Sequence, residues 1–133
     1  MLFPDQVETY QRDGYLILED VLSPAQTSAL DEQVRKIAAG QTDFPEASLE
    51  FEPGAASGGM DTLRKINGCC VHDPFFVDHA RHPSLLGAAV DLLGPDVKLF
   101  GDQLFVKPPG GIEKTYHQDS PYFTIEPMAM VTA

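Results

Sequence analysis

His117 and Asp119 flank Gln118 shortly after the run Lys107-Pro108-Pro109-Gly110-Gly111. On an extended segment, side chains two apart point to the same side. One imidazole nitrogen and one carboxylate oxygen can then meet on a single metal ion. That is two-thirds of the two-histidine, one-carboxylate face that holds non-haem Fe(II) for oxygen chemistry. A second histidine would complete it, and none follows Asp119. His72, His79 and His82 lie upstream, among expected helix boundaries and turns, and read as surface or helix-end residues. With 4 histidines and 20 acidic residues in 133, chance alone supplies roughly 0.6 His-x-Asp/Glu triplets. The spacing therefore gains meaning only from its setting.

The elements that must position this pair can be followed along the chain. Pro4 to Gln11 reads as a short helix with Phe3, Val7 and Tyr10 on one face, ended by Asp13-Gly14. Tyr15 to Leu18 reads as a short buried strand. Ser23 is an N-cap, Pro24 suits the first helical position, and Gln26 completes a capping box. That helix should run to about Ala39, bury Leu30, Val34, Ile37 and Ala38, and stop at Gly40. Residues 41–61 hold two prolines and three glycines with no sustained period, and are expected to form a loop, passive or lid-like. Thr62 to Ile66 reads as a strand, Asp73-Pro74 opens a helical turn, and Pro83 opens a helix ended by Gly94-Pro95. Val97 to Lys107 and Thr115 to Asp119 read as extended, and Met128 to Val131 as a further strand. Gly110-Gly111 lets the chain turn sharply before the histidine segment. Helices come first and strands last, which predicts an α+β arrangement.

Length allows one domain, residues 1–133, with a mainly helical part over 1–96 and the first core strands over 97–133. Hydrophobic content of 43% and charged content of 22% suit a globular protein. A net charge of −11 argues against nucleic acid and anionic membrane surfaces as partners. It also means that a phosphorylated or CoA-linked substrate would need local basic residues, for which Arg64-Lys65 and Lys107 are candidates. No apolar run approaches a membrane span, and the N-terminus lacks the pattern of a signal peptide. The adjacent Cys69-Cys70 pair suits neither an ordinary disulfide nor a zinc knuckle, so free thiols in the cytoplasm are expected.

Four blocks together resemble the phytanoyl-CoA dioxygenase family. They are Asp13-Gly14-Tyr15-Leu16-Ile17-Leu18, the Leu22-Ser23-Pro24 helix start, Lys107-Pro108-Pro109-Gly110, and Tyr116-His117-Gln118-Asp119-Ser120-Pro121-Tyr122-Phe123. The resemblance implies an Fe(II)- and 2-oxoglutarate-dependent oxygenase that uses O₂ on a small-molecule substrate. It implies helices packed on the first strands of a double-stranded β-helix, a cupin-like jelly roll that is incomplete in this chain. His117 and Asp119 would be the first two iron ligands, and Gln118 would lie beside 2-oxoglutarate. Lys65 would meet one of its carboxylates, unless it is simply a strand-end surface lysine. Tyr122 and Phe123 would wall the pocket or only pack. The family's distal histidine and its 2-oxoglutarate-gripping arginine come well after this block, so the resemblance implies an N-terminal portion of a longer enzyme. The alternatives are a non-catalytic binding domain that keeps the family's outer helices, and a cupin-like metal protein of unrelated activity.

Overall fold

The computed structural model describes residues 1–55 and 58–133. Among the described residues five helices and three short strands follow one another: α1 (Pro4–Asp13), α2 (Pro24–Ala38), β1 (Leu49–Phe51), β2 (Leu63–Asn67), α3 (Cys69–His72), α4 (Pro74–Ala80), α5 (Pro83–Leu93) and β3 (Gln103–Phe105). Single 3-10 turns occupy Glu46–Ser48 and Ser120–Tyr122. This mixture of helices with a small antiparallel sheet is an α+β arrangement. Among the described residues no helix is long and apolar enough to cross a membrane.

The chain divides into two compact units. One comprises residues 22–79 and 100–114 and contains the core. Its sheet runs β1-β2-β3, all antiparallel, with Leu49 opposite Ile66, Glu50 opposite Lys65, and Lys65 opposite Phe105. Leu63 and Ile66 of β2 are fully buried and pack with Val34, Ile37 and Ala38 of α2, Cys69 of α3 and Phe76 of α4. Helix α2 forms where the sequence places it. Ser23 Oγ accepts from the Gln26 N–H at 3.3 Å, and the Gln26 side chain returns a contact to the Ser23 N–H at 2.8 Å. Pro24 has no N–H, so two of the three orphan donors at the helix start are thereby satisfied. The chain leaves the helix through Gly40 at φ +65°. Leu30, expected in the core, is half-buried at its edge.

The other unit comprises residues 1–21, 80–99 and 115–133. Here α1 starts with the Gln6 side chain on the Phe3 N–H and ends at Gly14, whose φ of +80° suits a helix stop. In the same unit the Asp91 carboxylate of α5 accepts from the Leu2 N–H and lies 3.9 Å from the N-terminal amine.

Several expected elements differ. Tyr15 to Leu18 is not a strand: exposure does alternate, with Tyr15 and Ile17 out and Leu16 and Leu18 half in, but among the described residues no strand pairs with it. Residues 41–61 are not structureless, because β1 lies within them and pairs with β2. Positions 56 and 57 of that stretch lie outside the described residues. Of the extended run Val97 to Lys107, only β3 joins the sheet. Neither Thr115 to Asp119 nor Met128 to Val131 forms a strand.

Candidate functional site

The approach to the histidine motif is a turn built by proline and glycine. Gly110 has φ +77°, a left-handed conformation that glycine adopts without strain. The Gly111 N–H then closes on the Pro108 carbonyl at 2.9 Å. Both carboxylate oxygens of Glu52 accept from the Ile112 N–H, at 3.3 and 3.2 Å. A chain segment that would otherwise stand free is thus tied back to the residue that follows β1.

In the other unit, the histidine segment curls rather than running straight. The Tyr122 N–H reaches the Asp119 carbonyl at 2.9 Å, closing the turn at Ser120–Tyr122. His117 Nδ1 lies 2.8 Å from the Thr115 carbonyl oxygen. A carbonyl only accepts, so Nδ1 must carry the hydrogen. Its other nitrogen, Nε2, then faces Asp119 Oδ1 at 3.4 Å. A neutral imidazole would present a lone pair there to an ionised carboxylate, and two lone pairs repel. The pair is favourable only with a positive species between the two atoms, either a proton or a metal cation. Bonds from a metal ion to nitrogen and oxygen run about 2.0–2.2 Å, so donors 3.4 Å apart are within reach of one ion. Holding the second ring nitrogen on a backbone carbonyl is the usual way a protein fixes the tautomer of a metal-binding histidine. The donor set therefore fits a divalent cation, though through a local curl and not through strand alternation.

The remaining candidates are placed as follows. Gln118 is exposed between His117 and Asp119. The Tyr122 ring stands edge-on to His117, 6.1 Å between centroids, and is largely exposed; Phe123 is half-buried. Lys65 lies in the first-described unit, directly between Glu50 and Phe105 across the sheet. Its Nζ is 3.5 Å from Glu50 Oε1 and 5.4 Å from the Phe105 ring centroid. Glu50 also accepts from Asn67 at 2.9 Å. The Asn67 bond, and then the charge of Lys65, hold the Glu50 carboxyl below the usual carboxylate range. Among the described residues there is no group of three or more His, Cys, Asp or Glu side chains that could hold a metal. His72 instead contacts Ser48 Oγ at 3.2 Å and the edge of Phe44. His82 caps α5 through Nδ1, the helix-end role expected of it.

Two contributors escaped sequence reasoning. Thr115 acts through its backbone carbonyl, which leaves no trace in residue type. Glu52 sits 60 positions from the amide it holds, in a stretch read as loop.

Comparison with known proteins adds an independent line. The phytanoyl-CoA dioxygenase (PhyH) family profile matches residues 10–133. The ectoine dioxygenases of Bordetella parapertussis and Bordetella bronchiseptica are each 31% identical to this chain over 126 residues. The aligned region covers 94% of this chain and 39% of each relative, so the chain spans about two-fifths of their length.

Proposed function

This chain belongs to the phytanoyl-CoA dioxygenase family, and from that premise we propose that it supplies the first two iron ligands of an Fe(II)- and 2-oxoglutarate-dependent oxygenase. The observation that carries the reading is the His117–Asp119 pair, with Nδ1 committed to the Thr115 carbonyl and Nε2 turned on Asp119 Oδ1. His117 Nε2 and Asp119 Oδ1 would hold the metal. Asp119 neutralises one of its charges, and Thr115 keeps the imidazole in the donor tautomer. Any proton shared between the two ligands must leave as the metal binds. Bound Fe(II), with 2-oxoglutarate and O₂, supplies the oxidising power to hydroxylate a C–H bond while 2-oxoglutarate is converted to succinate and CO₂.

The other residues bind and shield. Gln118 lies beside 2-oxoglutarate in this reading. Tyr122 and Phe123 wall the pocket against water. A third ligand histidine and an arginine for 2-oxoglutarate are placed C-terminal to Ala133, within the remaining strands of a cupin-like double-stranded β-helix. The alignment covers 39% of each relative, so those relatives hold further sequence in which both could lie. A small molecule is the substrate, and ectoine, named in those relatives, is the first to try. Two free cysteines fit a cytoplasmic location.

The test compares chain lengths. The 133-residue chain should turn over 2-oxoglutarate at little more than the rate of free Fe(II). A longer polypeptide read from the same frame should couple 2-oxoglutarate loss to succinate, and His117→Ala should abolish it. Brisk, His117-dependent turnover by the short chain overturns the placement of the third ligand. An inactive longer polypeptide favours the non-catalytic binding domain.

A further inference from the structure

Tyr122 touches both halves of the His117–Asp119 pair. Its backbone N–H donates to the Asp119 carbonyl oxygen at 2.9 Å. Its ring stands perpendicular to the His117 imidazole, with 86° between the planes and 6.1 Å between centroids. Aromatic pairs attract in this edge-to-face arrangement at centroid separations of about 4.5–7 Å. All of these contacts fall within the compact unit that holds Thr115–Ala133. Tyr116, the neighbour of His117 on its other side, is wholly exposed.

The hydrogen bond from His117 Nδ1–H to the Thr115 carbonyl oxygen chooses the tautomer but leaves a pivot. A ring held at one atom can still swing about that atom, which would carry Nε2 away from the Asp119 Oδ1 it faces at 3.4 Å. A second contact elsewhere on the ring stops the swing. Tyr122 makes that contact, and its own backbone is fixed by the turn it closes on Asp119. The imidazole and the carboxylate are thus set relative to one another through a single residue. Holding a side chain in its bound orientation before the ligand arrives removes an ordering cost that would otherwise subtract from affinity.

We infer that Tyr122 is a positioning residue for the metal-binding pair: its ring holds the His117 imidazole in the orientation that aims Nε2 at the ion, while its N–H anchors the backbone of Asp119. This role rests on the metal reading of His117 and Asp119 and goes beyond walling a pocket. The contact lies between the two rings, so phenylalanine should serve as well as tyrosine at position 122, and alanine should not.

Both arms of the experiment use the 133-residue chain. In chelator, proton NMR should show cross-relaxation between the Tyr122 and His117 rings, kept in Tyr122→Phe. The same spectra should show a His117 side chain held in one rotamer in the parent and averaging among rotamers in Tyr122→Ala. With Mn²⁺ alone as the probe, followed by the paramagnetic resonance signal of the free ion, Tyr122→Ala should bind about 2- to 10-fold more weakly than the parent. Tyr122→Phe and Tyr116→Ala should match the parent, and His117→Ala should lose binding. The Tyr122 side chain is 72% exposed, so Tyr122→Ala should keep the parent's urea midpoint, which separates a loss of affinity from a loss of fold. Parent affinity in Tyr122→Ala, with binding still lost in His117→Ala, overturns the positioning role and leaves the metal reading standing. Equal weakening in Tyr122→Phe also overturns it, because the ring is still present. A parent that binds no Mn²⁺ overturns both.

Discussion

Replacing Gly111 with alanine should unfasten the turn that leads into the histidine segment. A Cβ at position 111 would lie 2.7 Å from Glu52 Oε1, 3.0 Å from the Pro108 carbonyl oxygen and 3.1 Å from Pro108 Cδ. Gly111 is thus needed for room, whereas Gly110 is needed for its positive φ. The Glu52 oxygen ends a flexible side chain and can swing away, but it then abandons the Ile112 N–H. That hydrogen bond is exposed and slightly long, and its loss is about 0.5–1.5 kcal/mol. Pro108 is buried and its backbone cannot swing, so the crowding there adds about 1 kcal/mol of overpacking. The sum is a loss of about 1.5–2.5 kcal/mol, read as a lower urea midpoint at unchanged slope. A double-mutant cycle separates the two parts. In a Glu52→Ala background the same glycine change should cost only the Pro108 share, leaving a coupling of about 0.5–1.5 kcal/mol. A Gly111→Ala protein as stable as the parent, or a cost identical in both backgrounds, refutes the steric reasoning.

Ile66→Ala should remove about 2–5 kcal/mol of stability by urea titration, because Ile66 is fully buried at the centre of the sheet and its side chain would leave a cavity. Burial, with Asp102 adding to it, pushes the Cys69 thiol up to about 12. Its thiolate fraction at pH 8 is then about 10³-fold below that of an unfolded cysteine near 8.5, and thiol labelling should be slower in proportion until the chain is unfolded. The same shift sets a pH dependence. The folded chain keeps a proton that the unfolded chain loses, so this contribution is complete below about pH 8.5 and falls as pH rises toward 12, which alkaline urea titrations would show. Ser23→Ala, which removes the acceptor for the Gln26 N–H, should cost about 0.5–2 kcal/mol and lower the thermal midpoint.

What could be read from the residues was whatever is written locally. Ser23-Pro24 with Gln26 marks the start of α2, Gly40 marks its exit, and Pro83 and Gly94 bracket α5, because caps and turns act within four residues. Strand β2 was visible as a short apolar run, but β1 was not. Three residues are too few to show a period, and the pairing shifts register between Glu50 and Phe51. Missing β1 also hid the Glu50 partner of Lys65 and the Glu52 tie to Ile112, both of which depend on that strand. Tyr15 to Leu18 shows the opposite failure, since its alternation is real but no partner strand accompanies it among the described residues. At the candidate site, His117 and Asp119 were nameable from spacing and resemblance. The curl that brings them within 3.4 Å depends on two backbone carbonyls, of Thr115 and Asp119, which every residue type possesses.

The most direct measurement of the central claim is an anaerobic calorimetric titration of the chain with Fe(II) in the presence of 2-oxoglutarate, repeated with His117→Ala and Asp119→Ala. The account predicts weak but saturable binding near one equivalent, lost in both variants, because two protein donors hold the ion. Identical titrations for the parent and both variants would contradict it.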